Sequence, residues 1–130
     1  VLELEIIGAE GVAGAPAPAE AERLVSAALA AAGIGDGHVA IEYVDAGRIA
    51  ELNREHRSKQ GATDVLSFPV DGALAGVPPG ARELGDVVIC PQHTADLREA
   101  IVHGVLHLAG MDHEADDGEM LALQAQILGR

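Results

Sequence analysis

Aromatic side chains are almost missing from this chain, which has one Tyr, one Phe and no Trp. A core of ordinary density must then be filled by Ala, Val, Leu and Ile. Their absence also excludes a nucleic-acid surface built from a row of stacked rings. Cysteine is equally scarce. Cys90 stands alone, which excludes a disulfide framework and suits a reducing compartment. Cations are few, with Lys plus Arg at 8 against Asp plus Glu at 21 and a formal net charge of -13. Such a chain repels polyanions over most of its surface, so a phosphate-bearing partner must be met at a local basic patch or through another macromolecule. No apolar run approaches the roughly 18 residues that a membrane span needs. The opening stretch Val1-Leu2-Glu3-Leu4-Glu5 has no basic start and carries acids, so it does not read as a secretory signal.

What is present is one domain's worth of sequence, 130 residues with 48% hydrophobic, expected to fold as a single unit over 1–130. Leu2, Leu4 and Ile6 alternate with Glu3 and Glu5, the period of a half-buried strand. An Ala-rich amphipathic helix is expected from Glu20 to Ala32, stopped by Gly33. A strand over 39–44 leads to Asp45, a helix N-cap for Ala46 to Arg57. A short strand over 64–68 ends at Pro69, and a Gly/Pro-rich loop covers 71–80. A strand over 85–90 precedes a long apolar helix capped by Thr94 and ended by Gly110, and a last helix starts near Asp116 or Asp117. Strands and helices interleave, which predicts an α+β domain with a small mixed β-sheet.

The chemistry is concentrated in His103-Gly104-Val105-Leu106-His107-Leu108-Ala109-Gly110-Met111-Asp112-His113. Residues four apart stack on one helix face, so His103 and His107 present two imidazoles to one point. Ile101, Val105 and Leu108 fall on roughly the opposite face. Gly110 permits a sharp turn that swings His113 back towards the first two. Three neutral imidazoles leave a tetrahedral Zn2+ with one open position. Six histidines in 130 residues give this spacing by chance about 0.01 times. His38, His56 and His93 show no ligand spacing. The HxxxHxxxxxH pattern is that of a zincin-like metal helix, but the metzincin proteases carry a glutamate as general base after the first histidine, and here that residue is Gly104.

The stretch from His103 to His113 resembles the signature of the YbeY family of bacterial endoribonucleases and rRNA maturation factors. Asn53-Arg54-Glu55-His56-Arg57-Ser58-Lys59, then Thr63-Asp64-Val65-Leu66-Ser67-Phe68-Pro69, resembles the family's central segment, and Leu84-Gly85-Asp86-Val87-Val88-Ile89-Cys90 its strand before the metal helix. The likeness runs from about residue 38 onward. It implies one zinc ion per chain, single-stranded RNA as substrate, a role in small-subunit rRNA maturation and ribosome quality control with ribosomal or assembly proteins as partners, and a cytoplasmic location without membrane association. His56 stands where the family usually has Tyr, Ala62 where it has Pro, and Met111 where it has an aromatic residue. The segment between Cys90 and His103 is shorter than the family leads one to expect.

Four of the eight basic residues, Arg48, Arg54, Arg57 and Lys59, crowd into 48–59, the clear candidate for a phosphate-binding patch. The resemblance puts Arg57 at the family's metal-facing arginine, where a guanidinium fork would hold a scissile phosphate. Arg54 and Lys59 are candidates for further substrate contacts. Asp112 is placed to hydrogen-bond a ligand imidazole from behind. Asp116 and Glu119 have capping-box spacing, and Asp64 and Asp86 are expected at strand starts. No general base is assigned. Two alternatives stay open: a zinc hydrolase of the protease type, and a non-enzymatic ribosome-assembly factor whose metal is structural and closed by Asp112 or Cys90.

Overall fold

The computed structural model describes residues 2–57, 61, 63–71 and 82–130. Its elements are β1 (Leu2–Ile7), α1 (Pro18–Ala31), β2 (Gly37–Tyr43), α2 (Ala46–Arg57), β3 (Val65–Pro69), β4 (Glu83–Ile89), α3 (Leu97–Leu108) and α4 (Glu119–Leu128), with one 3-10 turn at Pro91–His93. The sheet order is β1-β2-β4-β3. β1, β2 and β4 run parallel, and β3 closes one edge antiparallel to β4. This is the mixed sheet of an α+β domain.

Alternation along β4 assigns the two faces. Val87 and Ile89 join the large core with Leu24, Val25 and Leu29 of α1, Ile101, Val105 and Leu108 of α3, and Met120 of α4. Val88 and Cys90 join a smaller core with Ile49 and Leu52 of α2 and Leu66 of β3. Three helices therefore cover one face and α2 covers part of the other. Burial of this aliphatic set is the main driving force for the fold.

Local chemistry sets most boundaries. Gly33 takes φ 79°, and Ile34 N–H reaches back to Leu29 O at 2.9 Å, closing α1. Asp45 Oδ1 accepts from Arg48 N–H at 2.8 Å, the cap expected for α2. Of the boundaries that differ from expectation, three have a clear local cause. Asp96, not Thr94, caps α3, accepting from the N–H groups of Arg98 and Glu99, because the Thr94 hydroxyl turns back to Cys90 O at 2.7 Å. α4 starts after Gly118 in a left-handed conformation, while Asp116 accepts from Gly118 and Met120 N–H ahead of it. β4 begins at Glu83, so Asp86 is mid-strand, with a register shift between His38 and Val39 opposite Leu84 and Gly85 at φ 140°. A Cβ at Gly85 would lie 2.3 Å from Phe68 O, so the close β3–β4 approach there requires glycine. Of the loop expected over 71–80, positions 72–80 lie outside the described residues.

Candidate metal centre

α3 is a buried helix with one polar edge. Ile101, Val105 and Leu108 are at most 1% exposed, whereas His103 and His107 are half-buried on the opposite side. The helix ends in a Schellman turn: Gly110 sits at φ 96°, its N–H bonds His107 O at 3.0 Å, and Met111 N–H bonds Leu106 O at 3.1 Å. That reversal brings His113 back, with ring centroids 5.1 Å from His103 and 5.4 Å from His107. One ring nitrogen of each of the three histidines lies within 4.8 Å of the others.

Hydrogen bonds decide which nitrogens face inward. The Met111 carbonyl can only accept, so at 2.9 Å it holds the proton on His107 Nδ1. Gln124 Oε1 does the same for His103 Nδ1 at 2.8 Å. In the neutral rings both Nε2 atoms then carry the lone pair, and they face each other at 3.1 Å. Two lone pairs at that distance repel unless a cation lies between them. Zn–N bonds of about 2.05 Å in a tetrahedron separate ligand nitrogens by about 3.3 Å, close to the spacing found. His113 Nδ1 is buried and has no hydrogen-bond partner. Burial, reinforced by the neighbouring His103, lowers the pKa of His107 from its ordinary 6.5, keeping it neutral as a ligand must be. The donor set therefore fits a borderline-soft divalent ion such as zinc.

The group is open on one side. A cleft of about 660 Å3 runs past the three histidines, walled by Asn53, Thr63, Asp64, Val65, Ser67 and Asp112 among others. Neither candidate for a closing fourth ligand joins the histidines. Cys90 is buried in the small core on the far face of the sheet. The Asp112 carboxylate accepts from Glu114 N–H at 3.0 Å. The imidazole hydrogen bond expected of Asp112 is thus supplied instead by Gln124 and by the Met111 carbonyl. Because Met111 contributes its backbone, that bond does not depend on which side chain stands at 111.

Gly104 has a positive structural reason. A Cβ there would lie 2.5 Å from Val87 Cγ1 and 3.3 Å from Ser67 Oγ, so α3 packs onto β4 with no room for a side chain. The Ser67 hydroxyl donates to Gly104 O at 2.9 Å, which gives that residue a structural partner. A protease-type glutamate is excluded from this position by packing.

α2 reaches the cleft at Asn53, which is 5% exposed and donates from Nδ2 to Gly61 O at 3.0 Å. Arg54 is exposed on the same helix, and Arg48 pairs with Glu51 at 3.6 Å. Arg57 ends α2; its side chain, like Lys59 and Ala62, lies outside the described residues. Asp64 Oδ1 accepts from Val65 N–H at 2.9 Å and from the Thr63 hydroxyl at 3.2 Å, at the strand start expected of it. The other histidines sit apart: His38 bonds Glu83 on the sheet, and His56 packs edge-on against Phe68. His93 borders a second cavity, of about 350 Å3, that adjoins the first at His103. Sequence reading missed Gln124 and Asn53. The signal was a polar residue on an apolar helix stripe, between Met120 and Leu128 for Gln124 and beside Leu52 for Asn53.

Among the described residues no helix is long and apolar enough to cross a membrane. The family model described as Endoribonuclease YbeY matches residues 17–130, further towards the N-terminus than the likeness legible from residue 38. A protein of that name from Alkalilimnicola ehrlichii is 42% identical over 131 residues, covering 89% of this chain and 78% of the relative. Another, from Stenotrophomonas maltophilia, is 43% identical over 128 residues, covering 86% and 76%. A Thermotoga maritima protein solved in solution is similar with a TM-score of 0.51 at 27% identity, over 96% of this chain and 86% of its own.

Proposed function

The chain belongs to the YbeY endoribonuclease family, and from that premise we propose that it is a zinc-dependent, single-strand-specific endoribonuclease of the cytoplasm. Its role is 3′ end maturation of small-subunit rRNA and ribosome quality control, in company with the small subunit or its assembly proteins. The observation that carries the metal reading is the pair of Nε2 atoms facing each other at 3.1 Å beside an open cleft.

Bound there, zinc would supply a Lewis acid for a phosphoryl oxygen and lower the pKa of a water to about 7. The chain's own groups do the rest. His103, His107 and His113 serve as the ligands, one ion per chain. The Met111 carbonyl and Gln124 keep the Nδ1 protons pointing away from the cleft. Arg57 takes the scissile phosphate as the catalytic cation. Position 57 is one helical turn beyond Asn53, which lines the cleft, and a guanidinium fork matches two phosphate oxygens. Arg54 and Lys59 hold neighbouring phosphates. A phosphodiester tolerates the absence of a glutamate better than an amide does, because an amine leaving group must also be protonated. The route is hydrolytic, so the products carry no 2′,3′-cyclic phosphate.

The test is purified protein at low salt with labelled single-stranded RNA and with casein, each with and without chelator. RNA cleavage that chelator abolishes and zinc restores, with casein intact, is the expected result. Chelator-sensitive casein cleavage with intact RNA overturns this reading in favour of a protease. Tight metal with no cleavage of either overturns it in favour of an assembly factor. The phosphate contacts proposed for Arg54, Arg57 and Lys59 release counterions, so RNA binding and cleavage weaken as salt rises.

A further inference from the structure

The three imidazoles are held in three different ways. His107 is fixed by the backbone carbonyl of Met111, a bond made inside the turn that ends α3. His113 has a buried Nδ1 with no partner. His103 alone is oriented by a side chain, that of Gln124 at 2.8 Å, which comes from a different helix 21 residues further on.

Gln124 is an odd residue for its position. α4 turns Met120, Gln124 and Leu128 inward, one turn apart, and all three are buried. Leucine at 124 would serve that stripe better if packing were all that mattered, since a buried amide must be matched by hydrogen bonds. The acceptor oxygen faces the His103 Nδ1 proton, and this bond sets which His103 nitrogen carries a lone pair. α4 is held against α3 at its far end as well, where Arg130 pairs with Asp96 and Glu99 at the start of α3. The amide is thus delivered to His103 by a helix anchored on both sides of it.

We propose that Gln124 is the positioning residue of the histidine centre. Its Oε1 holds His103 with the proton on Nδ1, and so sets the affinity and geometry with which the three imidazoles take a divalent transition-metal ion. The inference rests on the metal reading above and extends it to α4. A partner of this kind fixes the tautomer, orients the ring and raises ligand basicity, and its loss typically costs 10- to 100-fold in metal affinity. Substitution at 124 leaves His107 untouched, since a backbone carbonyl holds that ring.

The experiment measures Zn2+ affinity by competition with a chromophoric chelator and the visible spectrum of the Co2+-loaded protein. Gln124→Leu removes the acceptor. Gln124→Asn keeps an amide but draws its oxygen back by one methylene. Gln124→Glu keeps an acceptor oxygen at full reach. The leucine and asparagine variants should bind zinc 10- to 100-fold more weakly, with an altered cobalt spectrum. The glutamate variant should bind within a few-fold of the unaltered chain with an unaltered spectrum, a rescue that a purely packing role would not give. Far-UV circular dichroism of the metal-free proteins checks the fold. If Gln124→Leu does not fold, the asparagine and glutamate variants decide alone. Gln124→Asn matching the unaltered chain in affinity and spectrum overturns the proposal. An unaltered chain that takes up neither zinc nor cobalt overturns the metal reading, and this inference with it.

Discussion

The two helices that meet at the cleft are built on different terms. α3 has eight of its 12 residues buried, a side-chain cap at Asp96 and contacts with both β4 and β3. α2 rests on Ile49, Leu52 and Asn53 over the smaller core and exposes Arg54, Glu55 and His56. His103 and His107 ride on the helix that cannot shift without disturbing the main core. The basic residues ride on the helix that can change its surface freely. Damage to α3 should therefore cost metal and stability together, and damage to the basic end of α2 should cost catalysis alone.

The widest gap is expected between His107→Ala and Arg57→Ala. The alanine at 107 removes the ligand with the best-defined partner, so metal content falls to near zero by elemental analysis. Cleavage is abolished, and the melting temperature drops to that of the metal-free chain, because metal that binds only the folded state adds to folding free energy. Arg57→Ala keeps the metal and the melting temperature but loses about 10²- to 10³-fold in kcat, the usual loss for one donor to a developing oxyanion. Arg57→Lys recovers little of it, since an ammonium offers no fork. An Arg57→Ala enzyme that cleaves at the normal rate, or a His107→Ala chain that keeps its metal, erases the contrast.

A smaller effect separates packing from chemistry at Gly104. Alanine normally stabilises a helix interior by about 1 kcal/mol relative to glycine. Here the added methyl would lie 2.5 Å from Val87 Cγ1, and overpacking of a filled core costs about 1–3 kcal/mol. The clash should win, giving a net loss of up to about 2 kcal/mol in urea denaturation of the metal-free protein. A stabilised Gly104→Ala variant would mean that α3 does not press on β4 as described.

Gly104 also marks how far sequence reasoning reached. Its place after His103 was plain, and its meaning as a missing glutamate followed from pattern alone. The Val87 methyl groups that forbid a side chain belong to a strand 17 positions earlier, and no periodicity carries that contact. The same division runs through the fold. The alternation of Leu2, Leu4 and Ile6, the cap at Asp45 and the stops at Gly33 and Gly110 are local rules, and each is legible in a few neighbouring residues. The histidine cluster was legible because helix geometry and one glycine turn suffice to build it. The α3 cap was misplaced because Thr94 and Asp96 are both good cap residues with extended backbones, and the bond from the Thr94 hydroxyl to Cys90 O decides between them. The start of β4 was misplaced because the register shift opposite Leu84 breaks the period of two. Gln124 escaped notice because its partner lies on another helix.

The smallest expected effect lies on β2, away from both helices, and supplies the reference for them. His38 bonds Glu83 at 2.9 Å and lies 3.6 Å from Glu5. The Glu83 hydrogen bond raises its pKa above 6.5, with added attraction from Glu83, Glu5 and Glu3 working against burial. A histidine with a raised folded-state pKa gives stability that is fully present below pH 6.5 and is lost as the pH rises through the folded value. His107 has the opposite sign. Its pKa is lowered, so its contribution is present above pH 6.5 and is lost as the pH falls below it. Asp86 faces Glu83 and His38, and burial raises its pKa from 3.8, so its effect falls in the acid range. The separation therefore requires a variant, His38→Gln, denatured in urea alongside the unaltered chain at pH 5.5 and pH 8.5. Because the pair is partly solvated and screened, the unaltered chain should lead by only about 0.3–0.5 kcal/mol more at pH 5.5 than at pH 8.5. Zinc affinity should not differ between the two proteins at either pH, since the ionic partners of His38 are Glu83 and Glu5 on the sheet. A lead that does not change with pH would remove the His38–Glu83 pair from the stability of the sheet, and a change in zinc affinity would mean that the sheet face and the metal centre are coupled.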